Sequence, residues 1–147
     1  MVRHRTPRPE RGATGDEISP EDRALIAAAI DTLRDRYVTG RHTVGAAVRT
    51  RSGAVFTGVN IEGIHTPCAE PVAVGAAISA GERALAAMVA VCRRGRTYPL
   101  LSPCGTCRQL LLDYGPTAYA IVADRSGRAR RLGAREALPY PFETFGR

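Results

Sequence analysis

The chain has 147 residues, a length that suits one domain with a single sizeable core. No apolar run approaches the length of a membrane span, and no apolar stretch follows the basic N-terminus within reach of a signal peptide. We therefore expect a soluble, cytoplasmic protein. The formal charge is +7, and all 21 basic residues are arginines.

Two arginine clusters carry much of the excess charge. They are Arg3, Arg5, Arg8 and Arg11, and then Arg125, Arg128, Arg130, Arg131 and Arg135. Such clusters can bind phosphates, but no aromatic side chains are interleaved with them for base stacking. We interpret the first as part of a disordered basic tail over residues 1–17 and the second as a solvated loop. Residues 18–147 are then one domain.

Regular structure is predicted to begin with a helix at Ser19 and Pro20. Serine can cap a helix, and proline suits its first position. Apolar residues then recur at helical spacing to about Tyr37. Two short strands, over 43–50 and 54–60, follow as a hairpin.

After a loop over 61–67, helices alternate with strands. Spacing and turn residues predict helices over 68–80 and 104–114 and strands over 84–92 and 118–123. Residues 124–130 are predicted as a turn-rich loop, with a short helix near 134–138. This order predicts an α/β fold in which helices cover a mixed sheet.

Three of the four cysteines have the spacing of metal ligands. Cys68 stands in Thr-Pro-Cys-Ala-Glu-Pro, while Cys104 and Cys107 stand in Ser-Pro-Cys-Gly-Thr-Cys. Three protein ligands are the number found in a catalytic zinc site, whose fourth position is left for water. Both motifs fall at predicted helix N-termini, whose partial positive charge would offset the negative charge of the thiolates. Arg108 is the nearest candidate for a further compensating charge.

Glu70 follows Cys68 by two residues, close enough to contact a metal-bound water without being a ligand. A carboxylate there can take a proton from water and pass it to a leaving group. Taken singly, Glu70 could merely favour a helix N-terminus, and Cys104 with Cys107 could be a redox or structural pair. A structural four-cysteine site would need Cys92, which ends an apolar strand and packs more readily as a small hydrophobe.

Cys68-Ala69-Glu70 together with Pro103-Cys104-Gly105-Thr106-Cys107 resembles the three-cysteine form of the zinc nucleobase deaminases. From about Tyr37 to Phe142 the chain resembles the cytidine deaminase family, including its blasticidin-S deaminase branch. Further family-like motifs are Thr43-Val44-Gly45-Ala46-Ala47-Val48, Phe56-Thr57-Gly58-Val59-Asn60-Ile61-Glu62 and Cys107-Arg108-Gln109-Leu110-Leu111. The resemblance implies a three-layer α-β-α sandwich with a mixed five-stranded sheet.

The resemblance also implies the chemistry of the site. Cys68, Cys104 and Cys107 would hold zinc, and Glu70 would shuttle protons while water replaces the amino group at C4 of a free cytosine nucleoside. The family is commonly homotetrameric, with sites near subunit boundaries.

Substrate contacts are implied for five residues. Asn60 and Glu62 match the pair that holds the ribose hydroxyls, while the Ala69 backbone and the Ser102 carbonyl would contact the base and its amino group. His42 stands where cytidine deaminases usually place a phenylalanine against the base. The C-terminal aromatic Phe142 would reach a neighbouring subunit's pocket.

Some features depart from the typical cytidine deaminase. The loop between Asn60 and Cys68 is short, as in the blasticidin-S branch, and Pro71 replaces an arginine that supports the thiolates. Glu62 instead favours the cytidine branch. A cytosine nucleoside is therefore the leading substrate, with blasticidin S or another amino-heterocycle as the alternative. A different class also stays open, a basic zinc-binding nucleic-acid module with Cys92 as fourth ligand, whose binding would depend steeply on salt.

Overall fold

The computed structural model describes residue 15 and residues 17–143. The predicted tail over residues 1–17, with the first arginine cluster, lies almost wholly outside the described residues. Within the described chain the elements are α1 Pro20–Arg36, β1 Val44–Thr50, β2 Val55–Val59, α2 Ala69–Ser79, β3 Leu85–Cys92, β4 Leu100–Leu101, α3 Gly105–Tyr114, β5 Tyr119–Ala123, β6 Ala129–Gly133 and α4 Ala134–Ala137. None of these helices is both long and apolar enough to cross a bilayer.

The strands form one mixed sheet in the order β2-β1-β3-β5-β6, with β4 paired to β3. Only the β3–β5 pair is parallel among the pairings described. The predicted α/β class and mixed sheet are confirmed, but the described sheet has six strands and not five. The 124–130 segment, predicted as a loop, contains the start of β6, an edge strand whose arginines hide the apolar alternation that marks a strand.

The sheet lies between two helical layers. Leu25, Ala29 and Leu33 of α1 pack against one face of the sheet. Helices α2 and α3 cover the other face, where Val74 and Leu111 belong to the same buried cluster. Alternate residues of β3 join the two clusters, as expected for a strand buried on both sides. The three-layer α-β-α sandwich is therefore confirmed.

Two glycines allow the helices to approach the sheet closely. A Cβ atom on Gly45 would lie 2.6 Å from the carbonyl oxygen of Ala29 in α1. A Cβ atom on Gly58 would lie 2.7 Å from the backbone nitrogen of Ala73 and 2.9 Å from the carbonyl oxygen of Ala69, both in α2. The absence of a side chain at Gly58 thus fixes the depth at which the first turn of α2 sits on the sheet.

Helix α1 begins at the predicted cap. Ser19 and Asp22 form a capping box, in which Ser19 N–H donates to Asp22 Oδ2 at 3.0 Å and Asp22 N–H donates to Ser19 Oγ at 3.2 Å. The sequence did not predict that Asp22 is fully buried and shared with Arg49, Arg131 and Tyr119. Burial opposes ionisation, but the hydrogen bonds from Tyr119, Ser19 and Arg131 outweigh it and lower the pKa of Asp22.

The second arginine cluster is not a uniformly solvated loop. Arg131 lies 2.6 Å from Asp22 with a side chain only 24% exposed. Arg130 pairs with Glu136 at 3.2 Å, and Arg128 pairs with Asp124 at 3.2 Å. Much of the local positive charge is therefore balanced within the fold, which leaves less of it for a polyanion.

Candidate active site

The three cysteines predicted as ligands stand at the N-termini of two helices. Cys68 is the N-cap of α2, Cys104 is the N-cap of α3, and Cys107 lies in the first turn of α3. The Cys68 side chain makes no capping hydrogen bond to α2. The predicted helix starts at these motifs are confirmed to within one residue.

The three thiols converge on one point. Their sulfur atoms all lie within 4.8 Å of one another, with 3.7 Å between Cys68 and Cys104 and 3.4 Å between Cys104 and Cys107. A tetrahedral zinc ion with Zn–S bonds of about 2.3 Å would separate its sulfur ligands by about 3.8 Å. The donor set and its spacing therefore fit one zinc ion. Cys92, the other described cysteine, is not a member of this group.

The surroundings of the three thiols shift their pKa values in different directions. Burial, followed by the nearby Glu70 carboxyl, raises the pKa of the Cys107 thiol well above its usual range. Burial and the neighbouring Cys104 also raise the pKa of Cys68. Burial acts on Cys104 as well, but hydrogen bonds, chiefly from the Cys107 N–H, lower its pKa overall. Metal binding to this set would therefore have to displace thiol protons.

Glu70 lies beside the thiols in the first turn of α2 and is only 5% exposed. Burial raises the pKa of its carboxyl, and this shift is partly opposed by its own backbone N–H and by the Cys107 thiol. An acid placed only to favour a helix N-terminus would not need burial. The carboxyl instead has a setting suited to holding and releasing a proton.

Arg108 does not bond to the thiols in the described structure. Its Nε donates to the carbonyl oxygen of Pro103 at 2.8 Å, and its Nη1 donates to the carbonyl oxygen of Ala137 at 3.0 Å. The guanidinium thus ties the loop before Cys104 to the C-terminal part of the domain. Its compensation of thiolate charge stays a prediction.

Asn60 brings together two of the other predicted substrate residues, His42 and Glu62. Its side-chain Oδ1 accepts hydrogen bonds from the backbone N–H groups of Thr43 at 2.7 Å and Val44 at 2.9 Å. Its Nδ2 donates to Glu62 Oε1 at 3.1 Å, and its backbone oxygen lies 2.8 Å from His42 Nδ1. Asn60, only 6% exposed, is therefore a structural hub between the start of β1 and the end of β2.

Ala69 and Ser102 each lie within two residues of a candidate ligand. Ala69 is the buried first residue of α2, directly after Cys68. Ser102 is exposed and follows β4, whose pairing with β3 carries the chain to Pro103 and Cys104. The sequence did not predict β4, because two residues are too few for a recognisable alternation.

Gln109 has a contact that the sequence did not predict. Its Oε1 accepts a hydrogen bond from Phe142 N–H at 2.9 Å, and its Nε2 donates to the Phe142 carbonyl at 3.1 Å. The two bonds hold the C-terminal segment against α3 while the Phe142 residue stays 74% exposed. No local signal in the sequence indicates an amide–backbone pair between positions so far apart in the chain.

Comparisons with known proteins agree with this geometry. Residues 19–123 match a family model described as the cytidine and deoxycytidylate deaminase zinc-binding region. Blasticidin-S deaminase of Bacillus cereus is 33% identical over 133 residues, which cover 85% of this chain and 94% of that protein. Cytidine deaminase of Mycobacterium tuberculosis is 41% identical over 105 residues, which cover 69% of this chain and 74% of that protein.

A solved structure extends the likeness to the fold. The crystal structure of cytidine deaminase from Mycobacterium tuberculosis matches with a TM-score of 0.69 at 34% sequence identity. The match covers 86% of this chain and 100% of that chain. The relatives thus include both branches that the sequence motifs resemble.

Proposed function

The chain belongs to the cytidine and deoxycytidylate deaminase zinc-binding family, and on that premise we propose that it deaminates a free cytosine nucleoside. Cytidine or deoxycytidine and water would give the uracil nucleoside and ammonia. The observation that carries the proposal is the cluster of three thiols within 4.8 Å of one another, with the buried Glu70 beside it. The enzyme class is accordingly that of the zinc-dependent cytidine deaminase-type hydrolases.

Zinc is the proposed metal, held by Cys68, Cys104 and Cys107. A set of thiolates selects zinc over magnesium or calcium, which prefer oxygen ligands. Zinc bound there would supply Lewis-acid activation of the attacking water. The N–H groups at the two helix N-termini, which lack partners within their helices, would support the ligands by offsetting the negative charge of three thiolates.

Glu70 is the proposed proton carrier. Its carboxylate would take a proton from the attacking water and deliver it to the departing amino group. A pKa raised by burial supports this role, since the carboxyl must hold the proton between the two steps. Lying two residues after the capping Cys68, Glu70 belongs to the same rigid turn as one of the ligands.

The nucleoside would be held from two sides. Glu62 is the acceptor offered to the ribose, because Asn60 Oδ1 already accepts two backbone hydrogen bonds while its Nδ2 orients the Glu62 carboxylate. The backbone N–H of Ala69 has no partner within its helix and would donate to the base. The Ser102 carbonyl would accept from the amino group, and Arg108 would keep the Pro103 loop in place.

Loss of cytidine absorbance with zinc-loaded protein tests the proposal. Glu70→Gln should keep full zinc content and lose turnover by roughly 10²- to 10⁴-fold, the usual contribution of a general acid–base group. Cys107→Ser should lower zinc content, whereas the matched control Cys92→Ser should change neither zinc content nor turnover. No turnover of cytidine or deoxycytidine by fully loaded protein would refute the substrate assignment.

A second candidate substrate is blasticidin S or another amino-heterocycle. Its support is the 33% identity with the Bacillus cereus blasticidin-S deaminase, which extends over 85% of this chain. Values of kcat/KM for cytidine, deoxycytidine and blasticidin S, measured with one preparation, decide between the two. A preference for blasticidin S of tenfold or more would replace the nucleoside assignment.

The nucleic-acid module receives little support. Its fourth ligand, Cys92, is outside the thiol cluster, and three arginines of the second basic cluster are paired with acids. Homotetrameric assembly and a cytoplasmic location stay predictions. The exposed Phe142 is consistent with a contact between subunits, and light scattering on the purified protein measures the assembly directly.

A further inference from the structure

We propose that His42 determines substrate specificity by accepting, through Nε2, a hydrogen bond from a hydroxyl group of the substrate's sugar. The inference rests on the proposed nucleoside deaminase function, because it names the part of the substrate that one corner of the same site recognises. That corner consists of His42, Asn60 and Glu62. Its chemistry follows from the hydrogen bonds that these three residues already make.

The contact with Asn60 sets the tautomer of His42. Its Nδ1 lies 2.8 Å from the backbone oxygen of Asn60. A carbonyl oxygen can only accept a hydrogen bond, so Nδ1 carries the proton. In the neutral imidazole the other nitrogen, Nε2, is then an acceptor. The contact with Asn60 thus fixes which nitrogen can receive a donor from outside the protein.

Hydrogen bonds and a tight turn hold the backbone of His42. His42 N–H donates to the Val38 carbonyl at 2.9 Å, and Val38 N–H donates to the His42 carbonyl at 3.1 Å. The tight turn between them contains Gly40 at φ +69, a conformation that glycine adopts without strain. His42 is therefore anchored at its backbone and at Nδ1, yet it stays partly exposed. No hydrogen bond to Nε2 is made within residues 17–143.

The hydrogen bonds of the corner leave acceptors as its unengaged side-chain groups. Both side-chain groups of Asn60 are engaged: Oδ1 accepts from two backbone N–H groups, and Nδ2 donates to Glu62 Oε1 and lies 3.5 Å from Thr43 Oγ1. With His42 Nδ1 also engaged, the groups that remain are acceptors, namely His42 Nε2 and the Glu62 carboxylate. Acceptors suit a ligand with hydroxyl donors, whereas a phosphate or a carbonyl group would find no donor on His42, Asn60 or Glu62.

Position 42 carries a histidine where the family resemblance leads one to expect a phenylalanine. A phenylalanine at position 42 could contribute only its ring face and edge to a substrate. A histidine of fixed tautomer adds one directed acceptor. The effect of this acceptor on substrate binding should therefore depend on which hydroxyl groups the sugar carries.

The test compares His42→Asn with His65→Asn, a control in the neighbouring exposed loop. The asparagine amide at position 42 can still donate to the Asn60 carbonyl as Nδ1 does, but it places no acceptor at Nε2. His42→Asn should raise KM for cytidine about three- to tenfold, the worth of one hydrogen bond, with kcat changed less than about twofold. His65→Asn should change neither constant.

The partner hydroxyl is found with 2′-deoxy-, 3′-deoxy- and 5′-deoxycytidine. The analogue that lacks it should bind wild type and His42→Asn equally well. An equal rise in KM for cytidine and all three analogues would indicate a contact with the base and overturn the proposal. No rise for any of them would overturn it as well.

A readout independent of turnover separates this inference from the proposed function. Nitrogen-15 NMR of the zinc-loaded protein should show the Nδ1–H tautomer for His42, and uridine should shift the Nε2 resonance. An Nε2–H tautomer in the free protein, or no shift at saturating uridine, would overturn the inference. Failure of wild type to turn over any nucleoside would instead refute the proposed function, and the uridine titration would still decide the role of His42.

Discussion

Gly58→Ala probes how the sheet positions one half of the metal site. The added Cβ would lie 2.7 Å from the Ala73 nitrogen and 2.9 Å from the Ala69 carbonyl oxygen. Real Cβ contacts are essentially never this short, and both neighbours are backbone atoms, so α2 would have to move away from β2. Overpacking of this kind costs about 1–3 kcal/mol. The movement would carry Cys68, the cap of α2, away from the two ligands on α3.

We expect Gly58→Ala to lower the free energy of unfolding of the zinc-free protein by about 1–3 kcal/mol and to weaken zinc binding as well. Gly75→Ala is the matched control, since Gly75 is an exposed position of the same helix with no described atom near its added Cβ. Alanine should stabilise that helix by about 0.5–1 kcal/mol.

Urea denaturation of the zinc-free proteins and competition for zinc against a chromophoric chelator measure the two effects separately. Stability and zinc affinity of Gly58→Ala equal to those of wild type would show that the close approach of α2 does not position the ligand. A loss of stability with unchanged zinc affinity would show that Cys68 adjusts independently of the helix.

Two further predictions concern contacts outside the thiol cluster. Asp22→Asn should lower the free energy of unfolding by about 3 kcal/mol, since it leaves two part-buried arginines facing a neutral group. Because the pKa of Asp22 is lowered in the folded protein, this difference should be full above the ordinary value of 3.8 and disappear as the pH falls through the pKa of the folded state. An equal loss of stability at every pH would contradict this. Gln109→Leu should speed hydrogen exchange at the Phe142 amide, because it removes both bonds that hold Phe142. Asp113→Ala removes only a contact of the Gln109 side chain and should not speed this exchange. Equal exchange rates in the two variants would contradict the role of Gln109.

The parts of the fold that were predictable from sequence have local causes. The start of α1 follows from Ser19 and Pro20, since the cap and the fixed proline dihedral act within one turn. The start of each metal-site helix follows from the proline that precedes its cysteine cap. The thiol cluster was predictable for the same reason, because ligand spacing along two helix N-termini limits where the sulfur atoms can lie.

What could not be predicted depends on partners distant in the chain. Strand β6 is polar because it is an edge strand and because Arg131 faces Asp22, a residue 109 positions earlier. The use of Asn60 to brace the start of β1 requires the register of the β1–β2 hairpin, which composition does not specify. The positions of His42 and Glu62 depend on that bracing, so the substrate corner was predicted as a set of residues and not as a geometry.

The partners of Asp22 also set an order on folding during synthesis. Helix α1 leaves the ribosome before the side chains that bind its buried carboxylate, which lie on β1, β5 and β6, the last of them near the end of the domain. Until Arg131 has emerged, docking of α1 would bury a charge with only part of its compensation. Helix α1 is thus synthesised before the sheet but docks on it stably only after β6 has emerged. A nascent chain stalled before Ala129 should therefore keep α1 accessible to proteases.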